Sequence, residues 1–300
     1  MRIARQKLFG QNEARTGVWW KWAGLCCLLI WPQSAAMAER AIRIISVDAN
    51  ATELLTEGGL ANYLVAVDTT SHSLLDNRQL ADLGYHRNLS AEAILSLEAD
   101  LLIGSQHMGP ESTLEILRRS GIEMIVLPVP LDTSQLMENI NSLAGHFDGM
   151  AEFDRIHQQV AAYHRELNDT RHQHTSIAMT FLLQLNERGL SQAGAGTAGD
   201  ALIKLLGGKN ISRFANYKPV STEALLNENP QVIMLGSELP EQQAQAELLR
   251  QHPIFIHGQA FQKAQVYVVP PSLLIAGLSV SAVKAAVDIS AKLPSASSQP

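Results

Sequence analysis

The sequence predicts an α/β protein built from two Rossmann-like lobes, each with a parallel β-sheet, joined by a single long helix. Short apolar runs alternate with helical patterns along the chain, as expected for parallel strands covered by helices on both faces. One helical pattern is much longer than the others, and two segments in opposite halves of the chain resemble each other. These observations favour two related lobes with one helix between them.

The predicted strands and helices follow one another closely. Candidate strands are residues 42–47, 63–67, 100–103, 123–129, 177–183, 231–235 and 265–269. Candidate helices are residues 52–57, 90–97, 110–120, 134–144, 198–206, 221–227 and 242–250. The strand candidates are continuously apolar rather than alternating, which is typical of buried parallel strands.

The long helix is predicted over residues 149–171, a stretch without proline. Its apolar side chains recur at spacings of three and four and form one stripe: Met150, Phe153, Ile156, Val160, Tyr163 and Leu167. At 1.5 Å per residue the helix spans about 33 Å, the diameter of a small domain. It is either an ordinary surface helix or a rigid connection. We favour a bridging helix over residues 146–172, between an N-terminal lobe (39–145) and a C-terminal lobe (173–300).

The first 38 residues have the features of a cleaved secretory signal peptide. Basic residues precede the apolar stretch Trp22–Trp31, and small residues lead to an A-x-A motif that ends at Ala38. The ten apolar residues are too few for a membrane anchor, which needs about 20. A lipoprotein attached at Cys26 or Cys27 is the alternative, but Leu25 stands where a small residue is expected. We therefore expect cleavage after Ala38 and a soluble protein in a Gram-negative periplasm.

Cleavage would change the amino-acid composition of the mature protein, and with it the classes of function that the composition excludes. It removes both cysteines and all four tryptophans, so the mature chain has no disulfide, thiolate metal site or cysteine nucleophile. The formal net charge changes from −6 to −10, because five basic residues and one acidic residue are lost. This excess of acidic residues argues against a nucleic-acid binder.

Sequence motifs of common enzyme classes are missing. No G-x-S-x-G or H-E-x-x-H sequence occurs, and the glycine-rich segments 194–197 and 207–210 match neither a Walker loop nor a dinucleotide fingerprint. An exported hydrolase or isomerase that uses a histidine and an acid remains as a hypothesis of another class. We favour a protein without catalysis of its own.

The two similar segments begin at Ser90 and Ser221. Each has a serine suited to cap a helix, a glutamate in the first turn (Glu92 or Glu223), and then a turn and an apolar strand. Any capped helix that precedes a strand shares part of this pattern. The separation of about half the mature length favours two equivalent lobes that face a crevice, where ligands bind.

A tyrosine, Tyr85, lies in a short predicted loop between a glycine and the first capped helix. It either packs against its neighbours or binds a ligand. A phenolate is a hard anionic donor that suits ferric iron, and tyrosine is a known axial ligand of haem iron. Arg87, two residues on, would favour the phenolate by its charge or by a hydrogen bond. His86 and His107 flank this segment, whereas most other histidines are expected on the surface.

These features resemble the periplasmic haem-binding proteins of bacterial haem ABC importers. The similar segments are residues 43–47, 65–68, 83–97, 194–202 and 217–225. The resemblance covers nearly all of residues 41–293, and its most specific part is the G-Y-x-R-x-L-S-A-E stretch from Gly84 to Glu92. It implies two α/β lobes bridged by one long helix, in agreement with the fold predicted above.

The resemblance also implies roles for individual residues. Tyr85 would be the axial ligand to the ferric iron of haem b, with Arg87 in support. Glu92 and Glu223 would dock, one from each lobe, on basic residues of an inner-membrane ABC permease that works with its ATPase. The protein would capture haem as a monomer in the periplasm and deliver it to that permease.

The sequence departs from that family's pattern at two places. Some relatives have a histidine near the start of the second lobe, but residues 183–189 contain none, and Ala195 replaces a usual basic residue. We therefore expect one five-coordinate haem, with His86 or His107 as the alternative that supplies a sixth ligand. Further candidates for the pocket, and for contacts with the haem propionates, are Thr197, Tyr217 and Lys218.

In the remaining alternatives the protein is still a periplasmic receptor, but its ligand is not haem. A ferric siderophore or a corrinoid would also suit a crevice between two lobes. A siderophore site would need several arginines, whereas the segment around Tyr85 offers chiefly Arg87. Haem is therefore the favoured ligand.

Overall fold

The computed structural model describes residues 41–75, 79–184 and 189–294, and within these ranges the strands form two β-sheets. The predicted signal peptide, residues 1–38, lies outside the described residues, as do residues 185–188 of the segment that lacks a histidine. The described residues from Ile42 onward belong to one compact unit. No helix among them is long and apolar enough to cross a membrane.

Sheet A is formed by the first half of the chain, and its strands all run parallel. They are β1 (Ile44–Val47), β2 (Leu64–Val67), β3 (Ala81–Asp82), β4 (Leu101–Ser105) and β5 (Glu123–Leu127), in the order β3-β2-β1-β4-β5. The helices of this half are α1 (Ala49–Glu57), α2 (Ala91–Ser96), α3 (Glu111–Arg119) and α4 (Thr133–His146). Because the strands are parallel, the loops that follow them meet at one edge of the sheet.

Sheet B is formed by the second half of the chain. Its strands are β6 (Ala178–Gln184), β7 (Leu190–Ala193), β8 (Lys209–Asn210), β9 (Tyr217–Val220), β10 (Val232–Gly236) and β11 (Val266–Val269). The main order is β11-β10-β6-β7-β9, and β8 pairs with the start of β6. Its helices are α6 (Ala198–Leu205), α7 (Thr222–Glu228), α8 (Glu241–Gln251), α9 (Gln259–Gln262) and α10 (Val280–Ser290). Short 3-10 helices occupy Ala61–Tyr63, Thr69–Leu74, Pro253–His257 and Pro271–Leu274.

The predicted α/β class is confirmed, but sheet B is mixed rather than parallel. The strand β7 runs antiparallel to both β6 and β9. Only a few residues separate β6 from β7, and a parallel connection needs a crossover of about a dozen or more. The sequence of β7, Leu-Ser-Gln-Ala, is too polar to stand out as an apolar run, which explains why the sequence did not predict it.

The helix starts predicted at Ser90, Ser221 and Thr197 are confirmed. The hydroxyls of Ser90 and Ser221 each accept the backbone N–H three residues further on, at 3.3 and 3.2 Å. The hydroxyl of Thr197 does the same at 3.1 Å. Glu92 and Glu223 lie in the first turns of α2 and α7, where a negative charge is favoured by the helix dipole.

The long helix α5 (Ala151–Arg171) connects the chain of sheet A to the chain of sheet B. It lies within the range 149–171 that the apolar spacing predicts. Its buried side chains are Phe153, Ile156, Val160 and Leu167, and Met150 and Tyr163 of the predicted stripe are half-buried. This stripe packs against α4 and α10, so α5 contributes to the core along its whole length.

The hydrophobic core is continuous between the two halves of the chain. One cluster of buried side chains contains Ile44 and Val67 from sheet A, Phe153 from α5, and Phe181 and Val269 from sheet B. Burial of such side chains stabilises the fold by about 1.5–3 kcal/mol each. The two sheets therefore share this large cluster, while each sheet also packs a smaller buried cluster of its own.

A buried polar junction also joins the two halves, where the start of α10 meets α1. The carboxylate of Glu53 is 5% exposed and accepts the backbone N–H groups of Val280 at 2.9 Å and Ser281 at 3.0 Å. The side-chain amide of Asn50 donates to two carbonyls of the preceding segment, residues 276–278, both at 3.1 Å. Burial raises the pKa of Glu53, although the hydrogen bonds from Ser281 favour its charged form. Glu53 thus caps a helix that belongs to the other half of the chain.

The same segment requires a glycine at position 277. Gly277 has a φ of 92°, and a Cβ there would collide with the backbone of Pro130. Leu278 then donates its N–H to the carbonyl of Pro130 at 2.8 Å. Only glycine combines this backbone conformation with so close an approach.

We expect Glu53→Ala to destabilise the protein more than Ser279→Ala, which removes the local cap of the same helix. Ser279 accepts the N–H of Ala282 at 3.1 Å, and loss of such a cap costs about 1 kcal/mol. Loss of Glu53 leaves one buried and one partly buried N–H group without an acceptor, at a cost of about 3 kcal/mol. Urea unfolding followed by circular dichroism measures both values. An equal or smaller loss for Glu53→Ala would contradict the junction.

Candidate functional site

Tyr85 lies in the loop that follows β3, at the edge of sheet A where the strands end. Its side chain is 50% exposed, although the backbone around it is held by hydrogen bonds. Gly84 donates its N–H to the Asp82 carboxylate at 2.8 Å, and its carbonyl accepts the N–H of Thr69 at 2.9 Å. The carbonyl of Tyr85 accepts the N–H of Asn88 at 2.8 Å. A fixed loop therefore presents a phenol that solvent can reach.

The neighbouring side chain, His86, points into the protein instead. It is 1% exposed, and its ring centroid lies 4.2 Å from that of Tyr85, with the two planes tilted by 46°. Its Nδ1 lies 3.1 Å from Oδ2 of Asp68. Its Nε2 is buried and has no hydrogen-bond partner among the described residues. One imidazole thus contacts both the exposed phenol and a buried carboxylate.

Asp68 is fully buried and accepts hydrogen bonds from several donors. Its Oδ1 accepts the hydroxyl of Ser71 at 2.6 Å and the N–H of Asp48 at 3.0 Å, and its Oδ2 accepts the hydroxyl of Thr70 at 2.7 Å. Burial acts to raise the pKa of Asp68, but the hydrogen bonds from His86, Ser71 and Thr70 outweigh it, and the pKa is lowered. Asp68 is therefore a carboxylate that accepts the Nδ1 proton of His86.

His107 follows β4 and lies beside His86. The two ring centroids are 6.4 Å apart, with an angle of 20° between the planes. Burial lowers the pKa of His107, and the positive charge of Arg87 and the neighbouring His86 act in the same direction. Its Nδ1 is buried without a hydrogen-bond partner in the described part of the chain. His107 is thus a neutral imidazole close to the Tyr85 loop.

Arg87 is exposed, and its guanidinium acts on His107 through its charge. The structure therefore brings Tyr85, His86, Arg87 and His107 together at one edge of sheet A. The support of Tyr85 by Arg87 stays a prediction. Groups of three or more histidine, cysteine or acidic side chains that would hold a metal ion are absent from the described ranges.

The other pocket candidates lie together in the second half of the chain. Tyr217 begins β9 opposite Ala193, and its hydroxyl accepts the N–H of Gly199, near the Thr197 cap of α6, at 3.3 Å. Burial raises the pKa of Tyr217. The Nζ of Lys218 lies 5.3 Å from the centre of the Phe214 ring. The described contacts join Thr197 and Tyr217 to each other, and none joins them to Tyr85.

Glu92 and Glu223 have equivalent positions in the two sheets. Each is exposed and lies in the first turn of the helix that follows a strand, β3 for Glu92 and β9 for Glu223. The strand β9 has the direction of β6 because both are antiparallel to β7. Both acids therefore lie where their sheets end, and neither forms an ion pair with another described residue.

Sequence reasoning missed two features of the histidines. His174, expected on the surface in a linker, is 2% exposed, because its Nδ1 bonds to the carbonyl of Leu206 at 3.0 Å. Asp68 was not singled out as a partner of His86. Its position directly after a predicted apolar strand, next to serine and threonine residues, is the signal that would have pointed to it.

Residues 44–273 match the family model described as periplasmic binding protein, which is most of the chain. The chain belongs to the periplasmic binding protein family. Members of this family are periplasmic binding components of ABC importers, so this binding protein has a membrane permease as its class of partner.

Solved structures with the same fold include two haem-binding proteins. The periplasmic haem-binding protein of Pseudomonas aeruginosa is 27% identical, with a TM-score of 0.71, over 83% of this chain and 91% of that chain. HutB, the periplasmic haem-binding protein of Vibrio cholerae, is 29% identical, with a TM-score of 0.72, over 84% and 99%. The relatives are binding proteins and not enzymes, in agreement with the expectation that this chain has no catalysis of its own.

A vitamin B12-binding protein is also similar in sequence. The protein of Vibrio cholerae serotype O1 is 31% identical over 212 residues, which cover 69% of this binding protein and 74% of the relative. Haem and vitamin B12 are thus both ligands of relatives, and the two are large planar macrocycles that hold a metal.

Proposed function

We propose that this binding protein captures ferric haem through Tyr85 and delivers it to an inner-membrane ABC permease. The observation that carries the proposal is the half-exposed phenol of Tyr85 on a loop whose backbone carbonyls at Gly84, Tyr85 and His86 each accept a hydrogen bond. A phenolate is a hard anionic ligand, which suits Fe(III), and tyrosine is an established protein ligand of haem iron. The similarity to haem-binding proteins of 27% and 29% identity supports the same ligand.

Coordination requires that the phenol lose its proton to solvent as iron binds. A positive charge nearby favours the phenolate over the phenol, and Arg87 is the cation that follows Tyr85 by two residues. We assign Arg87 this supporting role. His86 is buried, and Nδ1 of the half-buried His107 is buried as well. We therefore expect a single five-coordinate haem with Tyr85 as its axial ligand. Candidate contacts from the second half of the chain are Thr197, Tyr217 and Lys218.

A corrinoid is the second candidate ligand. It is favoured by the 31% identity to a vitamin B12-binding protein. The distinction lies in the axial bond, because the cobalt of a corrinoid already carries a nitrogen ligand of its own and gains little from a phenolate. The Tyr85 hydroxyl therefore separates the two candidates: haem binding depends on it and corrinoid binding does not.

We expect Tyr85→Phe to weaken hemin binding by at least about tenfold, or about 1.4 kcal/mol, and to abolish the absorption bands of a phenolate-bound ferric haem. Tyr163→Phe is the matched control, because the hydrogen bond described for its hydroxyl comes from Gln159 on the same helix. Parallel titrations with hemin and with cyanocobalamin measure both ligands. Equal hemin affinity and equal spectra for the wild type and Tyr85→Phe would refute the proposal. Tight cyanocobalamin binding without hemin binding would establish the second candidate.

We further expect Glu92→Lys with Glu223→Lys to block haem uptake while hemin binding stays unchanged. Both acids are exposed at the sheet ends, and a permease surface of opposite charge would be repelled by lysines. The control carries the same charge change on exposed residues of α4 and α5, Glu138→Lys with Glu166→Lys. Uptake into proteoliposomes that contain the permease and its ATPase measures the effect. Normal uptake by the first variant would contradict the docking role.

A further inference from the structure

A chain of buried side-chain hydrogen bonds runs behind the Tyr85 loop. The hydroxyls of Ser46 and Thr52 are 2.7 Å apart, and Thr52 donates to Ser71 at 2.8 Å. Ser71 in turn donates to Asp68 at 2.6 Å, and Asp68 meets His86. All of these residues are at most 1% exposed. Most buried polar groups in proteins are hydrogen-bonded, and here the bonds connect these side chains into one unit that ends at the His86 ring.

Asp68 determines both the orientation and the protonated nitrogen of His86. Because Asp68 is an acceptor only, Nδ1 of His86 must carry the proton that the two share at 3.1 Å. The ring is then fixed by a bond on one side and by burial on the others. A carboxylate behind a histidine is a common means by which proteins fix the orientation of an imidazole.

The fixed imidazole in turn limits where the phenol of Tyr85 can stand. The backbone carbonyls of Gly84, Tyr85 and His86 each accept a hydrogen bond, the last from Gly109 at 3.0 Å. The remaining freedom of Tyr85 is in its side-chain torsions, and its ring lies 4.2 Å from the His86 ring. A rotation of His86 would remove that support.

We propose that Asp68 is a positioning residue for Tyr85, and that it acts through the His86 ring to hold the phenol in the orientation that binds iron. This inference rests on the proposed function. His86 then supports Tyr85 with the face of its ring and does not bind the iron, because its free Nε2 is buried. Preorganisation of this kind lowers the entropy that a ligand residue loses on binding.

The test measures hemin dissociation from the full mature protein, by transfer of hemin to excess apomyoglobin. We expect Asp68→Asn and His86→Phe each to raise the dissociation rate by about tenfold, and to broaden the high-spin ferric electron paramagnetic resonance signal. The double variant should dissociate no faster than either single variant, because both changes remove the same support. Glu53→Gln is the matched control. It alters another buried carboxylate, which bonds to the start of α10 and has no described bond to Asp68 or His86.

Stability is measured on the hemin-free variants, so that loss of fold is separated from loss of positioning. We expect Glu53→Gln to lower the melting temperature and leave the dissociation rate unchanged. A wild-type dissociation rate for Asp68→Asn, or additive effects in the double variant, would overturn the inference. Should Asp68→Asn fail to fold, His86→Phe decides alone: a faster rate supports the inference and an unchanged rate overturns it. If Tyr85→Phe matches the wild type in spectrum and rate, the proposed function itself has failed.

Discussion

The carboxylate of Asp68 ties together the loops that follow three adjacent strands of sheet A. It accepts a backbone N–H from Asp48 after β1, hydroxyls from Thr70 and Ser71 after β2, and the imidazole of His86 after β3. A buried charge costs several kcal/mol unless it is hydrogen-bonded, so these donors and the carboxylate hold each other in place. The edge of the sheet on which Tyr85 stands is rigid for this reason.

A second buried carboxylate, Glu53, joins the two halves of the chain by hydrogen bonds, and its pKa is shifted in the opposite direction from that of Asp68. Hydrogen bonds from hydroxyls and an imidazole lower the pKa of Asp68 in spite of burial. At Glu53 burial outweighs the hydrogen bonds that it accepts at the start of α10, and the pKa is raised. Asp68 is therefore harder to protonate than an ordinary aspartate, while Glu53 is easier to protonate than an ordinary glutamate. Together they fix the loop that carries Tyr85 and the junction between the sheets.

Local signals in the sequence predicted the local features well. Ser90 and Ser221 cap their helices, and the apolar spacing of residues 149–171 corresponds to α5, because each depends on neighbours within a few residues. The structural features that the sequence did not predict depend on residues far apart in the chain or on the direction in which a strand runs. The strand β7 is polar and reverses the chain, and α10 with its cap from Glu53 depends on residues more than 220 positions apart. No periodicity in the sequence encodes such a contact.

The same distinction applies to the site. Tyr85 was predicted as a ligand from its place in a short loop and from the resemblance of residues 84–92, and its exposure agrees with that role. The pairing of Asp68 with His86 was not predicted, because it spans 18 positions and exists only where β2 and β3 lie side by side. A residue that binds a ligand, such as Tyr85, is thus easier to predict from the sequence than the buried residues that support it, such as Asp68.

A bond between the Tyr85 oxygen and ferric iron can be observed by resonance Raman spectroscopy of the hemin complex. The protein is prepared with natural tyrosine and with tyrosine labelled with ¹⁸O at the phenol. We expect an iron–phenolate stretching band that shifts to lower frequency with the label. A hemin complex whose iron–ligand bands do not respond to the label, or respond only to labelled histidine, would contradict it.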